Sequence, residues 1–115
     1  MTPEDRMRRI DALLSHVWMV RAFLKHSDEA AGDEELQEIH RDLYDYMLAL
    51  GPSWKAQDAA AYLKQAQKKF RRLRDAAERF REIQPEVSTH TNFQMAAQSL
   101  AAAVDEIAEL VKKEE

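Results

Sequence analysis

Four histidines, one arginine set into an apolar pattern and a scatter of serines are the residues in this sequence with side chains suited to chemistry. Arg21 follows Leu14 and Val17 and precedes Leu24 at helical spacing, so at about 100° per residue it shares their helix face. His40 stands likewise beside Leu36, Leu43 and Met47. If the two stretches pack as a hairpin, Arg21 and His40 come within about one turn of each other, partly buried, with Tyr44 in reach. That constellation is a candidate polar core. An arginine so placed is expected to meet a carboxylate or backbone carbonyls, since a buried charge needs partners. The plainer role for the same residues is packing: a snorkelling arginine, and a histidine satisfied by Tyr44, Tyr46 or a nearby acid.

His26 and His90 fall in two loops that belong at one end of a bundle, together with Asp28, Glu29, Asp33 and Glu34. Two imidazoles and several carboxylates can in principle hold a divalent ion. Neither histidine has a second histidine three or four residues on, however, so no metal site is expected. The segment Pro85 to Gln94 is rich in hydroxyls. With His90, Thr91, Asn92 and the open amides of a helix start, it is a candidate loop-end site for an anion or a partner's carboxylate. Thr91 and Gln94 also have the spacing of a capping box. His16 lies at the flank of an apolar face, near Val20 and Phe23.

Several chemistries are excluded by the residues themselves. Without cysteine there is no disulfide, thiolate nucleophile or Cys-based metal site. A di-iron carboxylate bundle needs paired Glu-x-x-His, and three residues before the four histidines stand Leu13, Phe23, Gln37 and Val87. The serines sit in no glycine-rich elbow, and the two glycines, Gly32 and Gly51, are too far apart for a phosphate-cradling loop. No cofactor is expected.

Arg21-Ala22-Phe23-Leu24-Lys25-His26 resembles the Arg-x4-His of the HEPN ribonuclease domains, small all-α dimers. The resemblance would imply Arg21 and His26 acting on RNA phosphate across a dimer interface. It covers six residues, lacks the polar residue usual after the arginine, and lies on the first helix rather than a late one.

The elements that must position these residues are all helical. Ile10, Leu13, Leu14, Val17, Val20 and Leu24 mark the first, with Thr2 as N-cap and Pro3 at the first helical position. Leu36, Ile39, Leu43, Met47 and Leu50 mark the second, with Asp33 as its cap and Gly51-Pro52 as its stop. The third carries Leu63, Ala66, Phe70, Leu73, Ala77 and Phe80, and Pro85 is expected to end it. Phe93, Ala97, Leu100, Val104, Ile107 and Val111 give the fourth. Helices over about 3–28, 33–50, 55–84 and 91–113 predict one all-α domain over residues 1–115, an antiparallel up-down-up-down four-helix bundle. Gly32 is a candidate left-handed cap after the first helix.

Charge is unevenly spread over a net of −4. Residues 29–50 hold seven acids against Arg41 alone, and residues 51–84 hold nine bases against four acids. Neighbouring helices of opposite sign attract and disfavour wrong pairings. Lys64, Lys68, Lys69, Arg71, Arg72 and Arg74 lack an exposed aromatic ladder for stacking bases, so nucleic acid is not the expected partner.

No apolar run approaches the roughly 20 residues that span a bilayer, and Met1-Thr-Pro-Glu-Asp-Arg lacks a signal-like apolar core. No membrane partner is expected, and a cytoplasmic location is. By length, the third helix should overhang the second. That would leave Ala77, Phe80, Phe93, Ala96, Ala97 and Leu100 as an apolar self-association surface, and a homodimer is expected there. The reading that follows is a non-enzymatic interaction or structural module, self-associating or binding a partner protein. The alternatives are a small helical enzyme acting on RNA or another phosphate substrate through arginine and histidine, and a nucleic-acid-binding bundle using the third helix.

Overall fold

Each helix begins where a side chain can accept a bond from an otherwise unpaired backbone N–H. In the computed structural model, which describes residues 1–112, α1 spans Pro3–Lys25. Thr2 Oγ1 accepts from the Asp5 amide at 3.0 Å while the Asp5 carboxylate accepts from the Thr2 amide, a reciprocal capping box. Ser27 caps a single turn, α2 (Asp28–Ala31), inside the first loop. Asp33 caps α3 (Glu34–Lys55), and Asp58 caps α4 (Ala59–Val87). The last helix, α5 (Thr91–Leu110), is capped by His90 rather than Thr91: His90 Nδ1 accepts from the Asn92 amide at 3.0 Å. Thr91 is thus the first helical residue, and the Gln94 side chain instead donates to the Thr89 carbonyl. At the far end of α5 the Arg6 guanidinium donates to the Leu110 and Lys112 carbonyls, which have no partner within the helix. Lys113, included in the expected fourth helix, lies outside the described residues.

Several expected boundaries differ, among them the end of α1, at Lys25 rather than about residue 28, and the start of α4, at Ala59 rather than about residue 55. Gly51-Pro52 does not stop the second long helix, which runs on to Lys55. The clash that bars α geometry before proline involves the preceding Cβ, which Gly51 lacks, and one missing N–H near a helix end costs a single bond. Pro85 likewise sits inside the last turn of α4, and the chain leaves that helix only after Val87. Gly32 has φ −108°, so it is not a left-handed cap.

The left-handed position falls instead on Gln57 (φ 54°). Its amide donates to the Trp54 carbonyl and the Asp58 amide to the Ser53 carbonyl, the paired bonds of a Schellman turn. A non-glycine residue there carries Cβ strain of about 1–2 kcal/mol. Gln57→Gly should therefore raise stability by about 1 kcal/mol, less the entropy that glycine adds to the unfolded chain. A rise in urea midpoint at unchanged slope checks this; a fall would mean the turn is not left-handed at this residue.

All the described residues outside turns and ends are helical, with no strand among them. α3 and α4 run side by side in opposite directions: the buried Tyr46 hydroxyl donates to the Ala66 carbonyl at 2.9 Å, and Arg79 reaches Glu35 and Glu38 at 3.3 and 3.1 Å. The acidic and the basic helix are thus direct neighbours. α1 and α5 are antiparallel too, joined by the Arg9–Glu106 ion pair near one end and by Phe23 edge-on to Phe93 near the other, with ring centroids 4.9 Å apart. α1 also packs on α3, and α4 on α5, in a body 41 × 23 × 19 Å across.

The expected overhang is present in length, α4 having 29 residues to the 22 of α3, but it is not bare. Arg79 lies beside Glu35 and Glu38 at the start of α3, and α4 continues past it to Val87 with α5 packed along it. Ala77, Phe80, Phe93, Ala96, Ala97 and Leu100 are all buried within the one chain. They are core, and the self-association surface placed on them is withdrawn.

Candidate functional site

Arg21 points from α1 into the seam with α3 and is only 7 % exposed. Its Nη1 donates to His40 Nε2 at 3.1 Å. Arginine has no lone pair to offer, so this nitrogen of His40 must be the acceptor, with any ring proton on Nδ1. The guanidinium carbon lies 4.2 Å from the centre of the Trp18 ring and 5.2 Å from that of Tyr44, both within cation–π range. Its Nε is enclosed without an acceptor. Among the described residues no carboxylate pairs with Arg21 and no backbone carbonyl accepts from it, contrary to the sequence expectation. Two aromatic faces and a neutral imidazole stand in their place.

The electrostatics of the cluster are one-sided. Burial pushes the His40 pKa below its ordinary value, and the positive charges of Arg21, Lys25 and Arg41 push it further the same way. His40 therefore resists protonation in the folded chain, while the unfolded chain takes the proton more readily. The contribution of this group to stability falls as pH drops through the ordinary histidine range. With its accepting nitrogen turned to a cation that cannot be deprotonated, His40 is poorly placed as a general base. What the arrangement can do is present a positive, aromatic-lined spot.

The spot opens onto an apolar groove through Trp18. Between α1 and α3, Leu14, Trp18, Met47, Leu50 and Trp54, together with Asp11, Ser15 and Gly51, line a cavity of about 280 Å³. Trp18 and Tyr44 are 46 % and 41 % exposed, unusual for large rings of a small domain. Sequence reasoning placed Arg21, His40 and Tyr44 but missed Trp18. The signal was present: Trp18 precedes Arg21 by three residues and Tyr44 follows His40 by four, spacings that put side chains on one helix face.

The loop-end residues are brought to the same end of the molecule by the contact of Phe23 with Phe93, but not into a site. His26 is the exposed C-cap of α1 and His90 the N-cap of α5, with its Nδ1 already accepting from the Asn92 amide. No hydrogen bond or ion pair among the described residues joins His26 to His90, Thr91 or Asn92. Nor does any group of three or more histidine or acidic side chains among the described residues lie close enough to hold a metal ion. Arg21 and His26 are five residues apart, about 140° around the helix. One is buried against α3 and the other is exposed at the helix end, so they do not converge on a common substrate.

His16 Nδ1 lies 3.2 Å from Ser99 Oγ across α1 and α5. Part of the basic run on α4 is already paired: Arg71 and Arg74 face Asp75. No family model matches the chain, and no curated protein or solved structure was found to be similar to it.

Proposed function

We propose that this chain is a non-enzymatic interaction module that binds a partner protein through the face shared by α1 and α3. The observation that supports this most is a pair of exposed aromatic rings, Trp18 and Tyr44, gathered on Arg21, with Trp18 also lining a largely apolar groove. Large rings that are half exposed beside apolar side chains leave area to be buried, and aromatic residues are enriched among those that dominate binding energy. The scaffold is read as an up-down-up-down bundle of the four long helices, with α2 as a turn in its first loop. A bundle of this kind gives the face a rigid backing, so that binding needs little reorganisation.

The enzyme alternative draws no support from the geometry, since Arg21 is tied to His40 and turned away from His26. The nucleic-acid alternative rests on α4 alone, where neighbouring acids already engage part of the charge.

Retention of protein from the source organism's lysate by the immobilised chain, compared with its Trp18→Ser/Tyr44→Ser variant, tests the reading. Both rings are partly in solvent but also flank Arg21, so circular dichroism establishes that the variant is folded before retention is compared. A partner held in stoichiometric amount by the unaltered chain and lost by the folded variant is the expected result. Equal retention by both would place the binding face elsewhere.

A further inference from the structure

We propose that the α1–α3 face receives an acidic segment of its partner: a carboxylate taken by Arg21 between Trp18 and Tyr44, with a neighbouring apolar side chain in the groove toward Trp54. This rests on the interaction reading above and names the chemistry of the partner.

Three observations converge on it. Arg21 is more than nine-tenths buried and has no acid among the described residues to balance it. A guanidinium withdrawn from water without a counter-charge is a standing cost, which an incoming anion removes. The charges felt at the neighbouring His40 are all positive, from Arg21 and Lys25 on α1 and Arg41 on α3. The chain as a whole carries a net −4, so this is a local positive spot on an acidic molecule.

The geometry selects the kind of anion. The Trp18 and Tyr44 rings approach the guanidinium carbon at 4.2 and 5.2 Å, and Nη1 is committed to His40. Rings lying over the guanidinium cover its faces, and with Nη1 on His40 and Nε enclosed, Nη2 is the nitrogen left to donate in plane to a carboxylate oxygen. The apolar groove supplies the second half of the recognition. Trp18 belongs to both parts, and Tyr44 and Leu50 are six residues apart on α3, a rise of about 9 Å. The matching partner segment is therefore one that carries an acidic and an apolar side chain at that separation. The two parts also account for the exposed rings: each is half covered by the chain and would be covered further by the segment.

The two tryptophans of this chain, Trp18 and Trp54, mark the two ends of the face and report on it separately. The probe is 6-phenylhexanoate, which has a ring and a carboxylate on one flexible chain. It is compared with 6-phenylhexanamide and with inorganic phosphate by NMR of the two indole N–H resonances at pH 7. The acid should move both resonances in a saturable way and bind about tenfold more tightly than the amide. In Arg21→Met, a substitution that keeps the apolar stem, acid and amide should bind alike while the circular dichroism spectrum is unchanged.

Equal binding of acid and amide by the unaltered chain would overturn the inference, and that comparison needs no variant. So would phosphate saturating the Trp18 resonance as strongly as the acid, which would mark a bare anion spot. If neither probe prefers the carboxylate but a partner is still lost from Trp18→Ser/Tyr44→Ser, the interaction reading stands and only the carboxylate falls. If no partner depends on those rings, the reading itself falls.

Discussion

Phe80→Ala should destabilise the chain by about 3–5 kcal/mol without changing its state of association. Phe80 has no solvent exposure and lies on the face of α4 that packs inward with Ala76, Ala77 and Leu73. Deleting its ring removes transfer free energy and leaves a cavity that helices held on several sides can close only in part. Domains of this size have roughly 5–15 kcal/mol in total, so the loss is a large share of the whole. The melting temperature should fall by more than about 10 °C. The same residue read as an exposed strip on an overhanging helix would behave in the opposite way, with little change in stability and a shift from dimer to monomer. Thermal unfolding together with sedimentation of the unaltered chain and the variant separates the two. A variant within about 1 kcal/mol of the unaltered chain would contradict the burial.

Two leucines five residues apart on α3 should differ nearly as much. Leu43 is fully buried and Leu48 is 60 % exposed, on the outer side of the same helix. Leu43→Ala should cost about 2–5 kcal/mol. Leu48→Ala should stay within about 0.5 kcal/mol, because its methyl groups already lie mostly in water and alanine is a good helix former. The contrast tests how α3 is rotated about its axis, and with it the direction in which His40 and Tyr44 point, since all four residues sit on one rigid helix. Urea unfolding of the two variants side by side is the measurement. Comparable losses from both would mean that α3 is rotated from the orientation seen here and that the α1–α3 face is misplaced.

The absence of an acid beside Arg21 says something about how the chain is stabilised. The guanidinium is held by two aromatic faces and one hydrogen bond, and His40 remains neutral partly because that cation is near. A carboxylate in this place would have made the cluster self-sufficient. Its lack leaves the guanidinium without a counter-charge among the described residues.

The sequence alone determined the four long helices, two of the caps and much of which residues face inward. Ile10, Val17, Leu36, Leu43, Leu73 and Leu100 recur at helical spacing because side chains three and four apart share a face, and each is buried. The caps at Thr2 and Asp33 were legible because they depend only on atoms within one turn. The proximity of Arg21 and His40 followed from periodicity on two adjacent helices.

The tertiary structure decided what depends on register and on competition between partners. Gly51-Pro52 reads as a stop, yet glycine lacks the Cβ that makes the stop steric, and the helix continues. The last turns of α4 still run past α3, but α5 packs along them and makes Ala77 and Phe80 core. Whether an arginine on an apolar face meets an acid, a carbonyl or a ring is settled by which side chains arrive from the other helix. In this chain Trp18 stands three residues before Arg21 on α1 itself, while Tyr44 and His40 arrive from α3 and, among the described residues, no carboxylate does; the α3 half is what spacing along one helix does not encode.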